Sequence, residues 1–240
     1  MSKNELELSG HAKAGEDRRA RTRSSILRAS FELLGRPEGR SSRIDEICQA
    51  AGVSRATFYN HFTSVDELFR LTAFAISHDF NDAVRAVLIR LPSGAIGLAF
   101  ALRYYLHRTR EDPAWGWAMV NLSAGGPIFG EETARYAMSG VEVGIINEHF
   151  SAPNASVGFD LVMGTSLAAM ITLLNSERQS DYPEQIVAQI YRGLRVSDTL
   201  IEKCIRPSLP DPFVFLKEHG LELGHDLTET EPFIAYPHRK

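Results

Sequence analysis

Residues 41–62 read SSRIDEICQAAGVSRATFYNHF, and this stretch predicts two short helices joined by a tight turn. Ser42 and Asp45 have the spacing of a capping box at the start of the first helix. Gly52 is placed to end that helix in the left-handed conformation, and Ser54 is placed to cap the second helix. The first helix has one apolar face that must be buried, formed by Ile44, Ile47, Cys48 and Ala51.

The second helix has an apolar and a polar side. Phe58 and Phe62, four residues apart, define the buried side. The opposite side offers a methyl group, an amide, a phenol and a guanidinium, which suit the floor and rims of a DNA major groove. We predict contacts with base edges from Arg55, Ala56, Tyr59 and Asn60. We predict contacts with phosphates or sugars from Ser42, Arg43, Thr57 and His61.

Residues 52–62 have the form G-V-S-x-x-T-F-Y-x-H-F, and the sequence SVDELF at residues 64–69 adds a second cap and an acidic, apolar helix start. This combination resembles the DNA-binding end of the tetracycline-repressor (TetR) family over roughly residues 18–75. Cys48 and Phe58 stand where Ala and Leu are commoner in that family, and both positions stay apolar. The resemblance implies a helix-turn-helix domain followed by a larger helical domain that binds a small molecule and dimerises.

Charge is distributed unevenly along the chain. The formal net charge is −4, yet nine arginines and only four acidic residues lie between Arg18 and His61. The remainder is acidic, which confines any DNA contact to the N-terminal end. Cys48 and Cys204 fall in apolar helical patterns, so we interpret them as buried thiols. A polar N-terminus and a short, interrupted apolar run at residues 162–174 predict a cytoplasmic protein without a membrane span.

Helical periodicity predicts an all-α fold. Residues 1–17 are polar and aperiodic, so we expect a disordered arm before a helix-turn-helix domain at residues 18–63. An effector-binding and dimerisation domain at residues 64–206 begins with a long helix that ends near residue 91 and links the two domains. Residues 207–240 contain five prolines and predict an irregular tail that packs partly through aromatic side chains. Further helices are expected at residues 95–110, 113–124, 131–150, 155–177 and 183–205.

The helix predicted at residues 155–177 is apolar nearly all round, with small residues along one side. With the helix after it, it suits an interface between two identical chains, as the resemblance also implies. Packing inside the core of one chain is the alternative. The candidate interface residues are Gly158, Leu161, Gly164, Leu167, Ala168, Ile171, Ile186, Ile190 and Leu194.

An effector pocket is implied by the resemblance and not by the sequence pattern itself. The long central helix and the helices after it carry many aromatic and soft side chains, most of which would also suit an ordinary core. Few of them are charged, which favours a largely apolar or aromatic effector. The candidate lining residues are Phe74, His78, Tyr104, Tyr105, His107, Trp115, Trp117, Met119, Asn121, Phe129, Tyr136 and Met163.

Together these patterns predict a ligand-responsive, DNA-binding transcriptional regulator: a homodimeric repressor released from a palindromic operator when its effector binds. A helical enzyme and a protein-interaction adaptor that retain the helix-turn-helix are the alternatives. Turnover of a bound small molecule would favour the enzyme, and binding that does not weaken with salt would favour the adaptor. Residues 164–168 approach a nucleophile elbow but lack its last glycine and lie in a helical pattern. We therefore predict no catalytic residue, no cofactor and no metal site.

Overall fold

The structure, a computed structural model, describes residues 3–91 and 94–220, and all regular secondary structure in these ranges is helical. This confirms the predicted all-α class. The helices of the described residues are α1 Lys3–Leu34, α2 Ile44–Ala51, α3 Arg55–Tyr59, α4 Val65–Leu88, α5 Ala95–Glu111, α6 Pro113–Ser123, α7 Glu131–Ile146, α8 Ala155–Asn175, α9 Tyr182–Gly193, α10 Asp198–Ile205 and α11 Pro212–Glu218.

The first three helices and the start of α4 share a small apolar core. Phe58 of α3 and Phe62 just after it are 0% and 1% exposed. Ile47 and Cys48 of α2 pack in the same cluster, together with Leu68 of α4. Burying a side chain the size of Phe contributes about 1.5–3 kcal/mol. This core therefore holds α3 with its polar side turned outward.

The turn between α2 and α3 has the predicted chemistry. Gly52 adopts a φ of 66°, in the left-handed region where a residue with a Cβ is strained. Ser54 caps α3, because its Oγ accepts a hydrogen bond of 3.1 Å from the backbone N–H of Thr57. At the far end of the domain, Ser64 caps α4 in the same way.

The cap of α2 differs from the prediction. A short 3₁₀ turn at Gly39–Ser41 precedes the helix, so Ser42 ends that turn instead of starting α2. Arg43 takes the capping position, and its backbone N–H donates to the Glu46 carboxylate at 3.0 Å. The predicted box of Ser42 and Asp45 was wrong because the 3₁₀ turn moves the helix start by one residue.

The N-terminal segment also departs from the prediction. We expected residues 1–17 to be disordered, but α1 already begins at Lys3 and continues to Leu34. Residues 13–21 of this helix are exposed. The sequence of this segment is mostly polar and offers no apolar periodicity to detect. The first proline of the chain is Pro37, however, and good helix formers are frequent before it.

The remaining helices pack around a second, larger core. Its centre is formed by α5 and α8, and fully buried members include Leu106, Trp115 and Val162. By length and mean hydropathy alone, α8 could cross a membrane, since it is longer than the interrupted run that we considered from the sequence. Its contacts with α5, α6, α7 and α9 are those of a core helix.

The last predicted helix is divided in two, and the tail is not wholly irregular. Arg195 has a φ of 58°, which ends α9 and separates it from α10. The tail forms helix α11, capped by Asp211, and packs on α4 through Leu216. Proline at the first position of α11 starts a helix instead of breaking one. Residues 221–240 lie outside the described residues.

Several contacts join the small and large cores. Both α1 and α4 contribute side chains to the two cores. In addition, Nδ2 of Asn121 in α6 donates to the carbonyl oxygens of Leu34 at 2.9 Å and Arg36 at 2.7 Å, at and just after the end of α1. A Cβ on Gly35 would lie 3.1 Å from the carbonyl oxygen of Ala114, so glycine permits this close approach.

Candidate DNA-binding surface and ligand cavity

The polar side of α3 is open to solvent. Tyr59 is 57% exposed, and Arg55, Ala56 and Asn60 are exposed beside it. The Tyr59 ring packs edge-on against Phe58, with 5.3 Å between the ring centroids, so its orientation is supported from the core side. All four residues predicted to reach base edges thus lie on one accessible surface, which we call the recognition surface.

Arg55 forms an ion pair with an acidic residue of α2. Its guanidinium makes two hydrogen bonds with the Asp45 carboxylate, at 2.5 and 2.6 Å. This hydrogen bond with Arg55 holds the pKa of Asp45 below its usual value. Both side chains are more than half exposed, and an exposed pair of this kind contributes little to stability. The Arg55 guanidinium can therefore exchange Asp45 for another partner at little cost in stability.

Two arginines of α1 donate hydrogen bonds to backbone carbonyl oxygens at the end of α3. Arg19 donates to the carbonyl oxygen of Asn60 at 3.3 Å, and Arg23 donates to that of His61 at 3.1 Å. The Arg23 guanidinium also lies over the Phe62 ring, 4.6 Å from its centroid. Cations complement the negative end of a helix dipole. Burial and the charges of Arg19 and Arg23 lower the pKa of His61.

The other residues predicted to contact phosphates or sugars flank this surface. Arg43 is exposed at the start of α2, and Ser42 before it is half-buried. Thr57 is half-buried, with its hydroxyl 2.9 Å from the Ser54 hydroxyl. Ser42 and Thr57 therefore offer less surface to a partner than Arg43 does.

A cavity of about 320 Å³ lies between α4, α5, α7 and α8, and we call it the central cavity. Ile89 and Tyr136, which are 70% and 41% exposed, stand at its mouth. Buried side chains close its inner end. Four of the predicted pocket residues line it, namely Tyr105, Phe129, Tyr136 and Met163.

The polar groups of the central cavity bond to one another. The Tyr105 hydroxyl lies 2.7 Å from Asn81 Oδ1 and 2.8 Å from Thr133 Oγ1. Asn81 Nδ2 donates to Thr133 Oγ1 at 3.1 Å and to the Glu132 carboxylate at 3.0 Å. The three residues Asn81, Tyr105 and Thr133 thus form a closed ring, which we call the polar ring.

Asn81 and Thr133 are not among the predicted pocket residues. A signal for Asn81 was present, because it falls three and seven residues before Val84 and Leu88 on the inner face of α4. A side-chain amide within an apolar stripe is expected to be buried, so it needs hydrogen-bond partners. Nothing in the sequence indicated that Thr133 of α7 would provide one of them, since that requires α7 to pack on α4.

Other predicted pocket residues line two further cavities. Phe74 and Asn121 line one of about 550 Å³, between α4 and the loop after α6. His78 stacks on Phe74 and lies 3.1 Å from the Glu132 carboxylate. Tyr104 and His107 line another of about 390 Å³, beside residues 208–213.

Besides His78, three predicted pocket residues line none of these cavities. Trp115 and Met119 are fully buried in the larger core, and the indole N–H of Trp115 donates to the Ile76 carbonyl oxygen at 3.0 Å. Trp117 is half-buried on another side of α6. Periodicity placed all three on a helix but could not distinguish a packed interior from a cavity wall.

His107 belongs to a charged cluster between α5 and α9. Glu184 accepts hydrogen bonds of 2.9 Å from both Arg103 and His107. Burial raises the pKa of Glu184, but these hydrogen bonds outweigh it and lower that pKa to about 2. Arg103 also donates to the carbonyl oxygens of Cys204 and Pro207. The cluster therefore holds α5, α9 and the chain after α10 together.

The candidate interface residues divide into exposed and buried ones. Leu161 and Ile171 are 37% and 40% exposed, and Gly164 and Ala168 are exposed between them. With Val157, they form an exposed apolar stripe along α8 at alternating spacings of four and three residues. We call Val157, Leu161, Gly164, Ala168 and Ile171 the α8 stripe.

The other candidates face the interior of the same chain. Ile190 and Leu194 are each 1% exposed in the larger core, and Gly158 is buried against Val141 of α7. Leu167 and Ile186 are half-buried against that core. The selection of Gly158, Ile190 and Leu194 as interface residues is therefore corrected. Gly158 of α8 packs against α7, and α9 turns its apolar side inward and its polar side toward solvent.

Comparison with known proteins gives a family match at the N-terminal end. Residues 26–72 match the model of bacterial regulatory proteins of the tetR family. Among solved structures, RolR in complex with resorcinol is 21% identical, covering 82% of this chain and 98% of RolR with a TM-score of 0.65. RolR without ligand is 20% identical, covering 78% and 98%, with a TM-score of 0.62. At these identities the likeness establishes a shared fold. No curated protein sequence matches the chain.

Proposed function

We propose that this chain, whose residues 26–72 match the model of bacterial regulatory proteins of the tetR family, is a DNA-binding homodimeric repressor that leaves its operator when a small molecule binds. The observation that carries the proposal is the accessible recognition surface on α3, supported from behind by Phe58 and Phe62. The larger helical domain with its central cavity supports the ligand-responsive part.

The DNA part of the proposal assigns Arg55, Ala56, Tyr59 and Asn60 to base edges. Arg43 lies at the edge of the same surface and suits phosphates, and Ser42, Thr57 and His61 are proposed to add contacts to the backbone. In a dimer, two such surfaces would enter successive major grooves about 34 Å apart, which requires a palindromic operator.

The α8 stripe supports the proposed dimer. TetR-family regulators act as dimers. Exposed apolar residues at spacings of four and three form one seam along a helix, and a twofold axis brings two identical seams together. We propose that the α8 stripe, with the adjacent outer side of α9, forms the interface.

The central cavity is the proposed effector site. Its walls are mainly apolar, in keeping with a largely apolar or aromatic effector. RolR, whose structure was solved with resorcinol, shares the fold, and a small aromatic compound of that kind is one candidate effector. Since α4 both lines this cavity and belongs to the core behind α3, a ligand that favours one position of α4 would change the distance between the two recognition surfaces.

The proposal is tested by selecting bound fragments from genomic DNA and then measuring the affinity of the Tyr59→Ala variant for them. We expect this variant to bind the selected sequence no better than unrelated DNA at the same salt concentration, because the phenol is assigned to a base edge. Its circular dichroism and melting temperature should match the wild type. Unchanged affinity for the selected sequence would contradict the proposal.

A matched control is His219→Ala. This histidine is exposed near the end of the described chain, at α11, and its substitution should leave the DNA affinity unchanged. A steep fall of wild-type affinity with salt is also expected, and binding that is insensitive to salt would favour the adaptor alternative.

A further inference from the structure

The central cavity has an apolar wall and a single buried polar end. Its wall includes Val84, Leu102 and Met163, and the polar ring of Asn81, Tyr105 and Thr133 lies at its buried side. Arg85, the cation among the lining residues, has a side chain that is 57% exposed and is paired with Asp82 at 3.1 Å. A buried charge on a ligand would be costly without a buried partner. The cavity therefore suits a neutral molecule.

The orientation of the Asn81 amide follows from its neighbours. One of its terminal atoms lies 3.0 Å from a Glu132 carboxylate oxygen, which only accepts hydrogen bonds. That terminal atom must be the nitrogen, because two acceptor oxygens at this distance would repel each other. The amide oxygen therefore faces the Tyr105 hydroxyl.

The direction of every hydrogen bond in the polar ring is then determined. Asn81 Oδ1 has no proton, so the 2.7 Å contact requires Tyr105 to donate to it. The Tyr105 proton is thus in use, and the 2.8 Å contact requires Thr133 to donate to Tyr105. Both N–H groups of Asn81 are bonded as well, one to Glu132 and one to Thr133.

The ring consequently has no proton left for a ligand, but it still has acceptor capacity. Asn81 Oδ1 receives one hydrogen bond and has a second lone pair. Ser166, another lining residue, donates its proton to the Val162 carbonyl oxygen at 2.7 Å, so its oxygen can also accept. A ligand hydroxyl can bond to these acceptors, whereas a ketone, ether or ester oxygen placed at this buried end would face acceptors alone. The lining donors Arg85, Tyr136 and Ser139 are exposed, toward the mouth of the cavity.

We propose that the central cavity selects neutral, mainly apolar molecules that donate a hydrogen bond through a hydroxyl group, and discriminates against analogues that only accept. This inference rests on the proposed function, which makes this cavity the effector site. The selection follows from the closed polar ring and is independent of how the ligand changes DNA binding.

The test uses two pairs of molecules that share a carbon skeleton. Menthol has a hydroxyl where menthone has a ketone, and thymol has a hydroxyl where its methyl ether has none. Isothermal titration calorimetry on the full chain measures the four affinities. We expect each hydroxyl compound to bind about tenfold more tightly than its partner, the factor that one hydrogen bond typically supplies. Equal or tighter binding of menthone and of the methyl ether would overturn the proposal, and so would the failure of all four to bind.

A pair of isosteric variants locates the selection in the polar ring. Thr133→Val removes the hydroxyl that accepts from Asn81, which leaves an N–H able to donate to menthone. The preference for menthol should then fall to less than about threefold. Thr109→Val is the matched control, since Thr109 is 1% exposed on α5 and bonds only the Tyr105 carbonyl oxygen in the described hydrogen bonds. This control should keep the full preference.

The outcomes separate this inference from the proposed function. If Thr133→Val does not fold, the comparison of the wild-type affinities still decides the question. An unchanged preference in folded Thr133→Val would overturn the assignment to the polar ring. Hydroxyl compounds that bind with the expected preference but leave the affinity for selected DNA unchanged would support the inference and contradict the repressor mechanism.

Discussion

The recognition surface and the central cavity use polar side chains in opposite ways. At α3 the apolar side chains are buried and the polar ones point into solvent, where Tyr59 and Asn60 are accessible to a partner. In the larger domain, polar side chains such as Asn81 and Arg103 are buried, and each is hydrogen-bonded to groups on neighbouring helices. Polar groups of the first kind are available for binding and contribute little to stability, whereas those of the second kind hold helices together.

This difference predicts how substitutions should behave. Removal of an apolar side chain from the small core should lower the free energy of unfolding most. A change within the buried polar clusters should have an intermediate effect, and in one case a pH-dependent effect. A change among exposed polar residues of the N-terminal domain should alter DNA affinity alone.

The largest expected effect is that of Phe58→Ala. Phe58 is fully buried, so the loss of its ring should lower the free energy of unfolding by about 3–5 kcal/mol in a urea titration at fixed protein concentration. Tyr59→Ala, at the adjacent exposed position, should change it by less than about 0.5 kcal/mol. Similar losses for the two variants would remove the contrast between the faces of α3.

Asn121→Ala should have the next largest effect, because Asn121 joins the small and large cores. Its Nδ2 bonds two carbonyl oxygens at the end of α1, and leaving them without a donor should cost about 1–3 kcal/mol in the same titration. Asn175→Ala is the control, since Asn175 makes a similar bond to the Ile171 carbonyl oxygen on an exposed part of α8. Equal losses would mean that the contact between α6 and α1 has no special role.

Glu184→Gln should have a smaller effect that depends on pH. The pKa of Glu184 is about 2 in the folded chain against 4.5 for an unperturbed glutamate, so the ionised group stabilises the fold above about pH 4.5 and loses this contribution as the pH falls toward 2. After solvent screening we expect about 1 kcal/mol from this group. Wild type and variant should therefore differ in unfolding free energy above pH 4.5 and converge toward pH 2.

The control for this measurement is Glu177→Gln, which alters an exposed glutamate after α8. Its unfolding free energy should follow that of the wild type across the whole pH range. A constant difference between wild type and Glu184→Gln at every pH would mean that the charge of Glu184 is not what stabilises the cluster.

The smallest effect is expected for Asp45→Asn. The exposed Asp45 carboxylate is the ion-pair partner of the Arg55 guanidinium. Its neutralisation should leave stability unchanged, because the pair is exposed. It should tighten DNA binding severalfold, because Arg55 is then free to contact DNA. Asp198→Asn removes an equal charge beside Arg192, in the larger domain, and should change neither quantity. Weaker DNA binding by Asp45→Asn would show that Asp45 positions Arg55 for DNA.

The sequence predicted the elements whose signals are local. The two buried phenylalanines, the left-handed Gly52 and the cap at Ser54 each depend on a few neighbouring residues, and the structure agrees. The errors arose where local signals were lacking or ambiguous. The first turns of α1 have no apolar face to detect, and Pro212 predicted irregular chain but begins α11.

The candidate site was predictable to a different extent in the two domains. The polar side of one short helix was sufficient to select the recognition surface. In the larger domain, Tyr105 and Trp115 are aromatic residues of similar pattern, yet one lines a cavity and the other is packed core. Ile190 likewise had the pattern of an interface residue but packs inside its own chain.

The amino-acid sequence by itself determined the all-α class, the helix-turn-helix and the side of α3 that faces outward, because helix periodicity places each residue relative to its near neighbours. Only the tertiary structure decided which apolar residues surround a cavity, which stripe of α8 stays exposed, and that Asn81, Tyr105 and Thr133 meet in one ring. Those features depend on how distant helices pack against each other, and no pattern within a single helix records its neighbours.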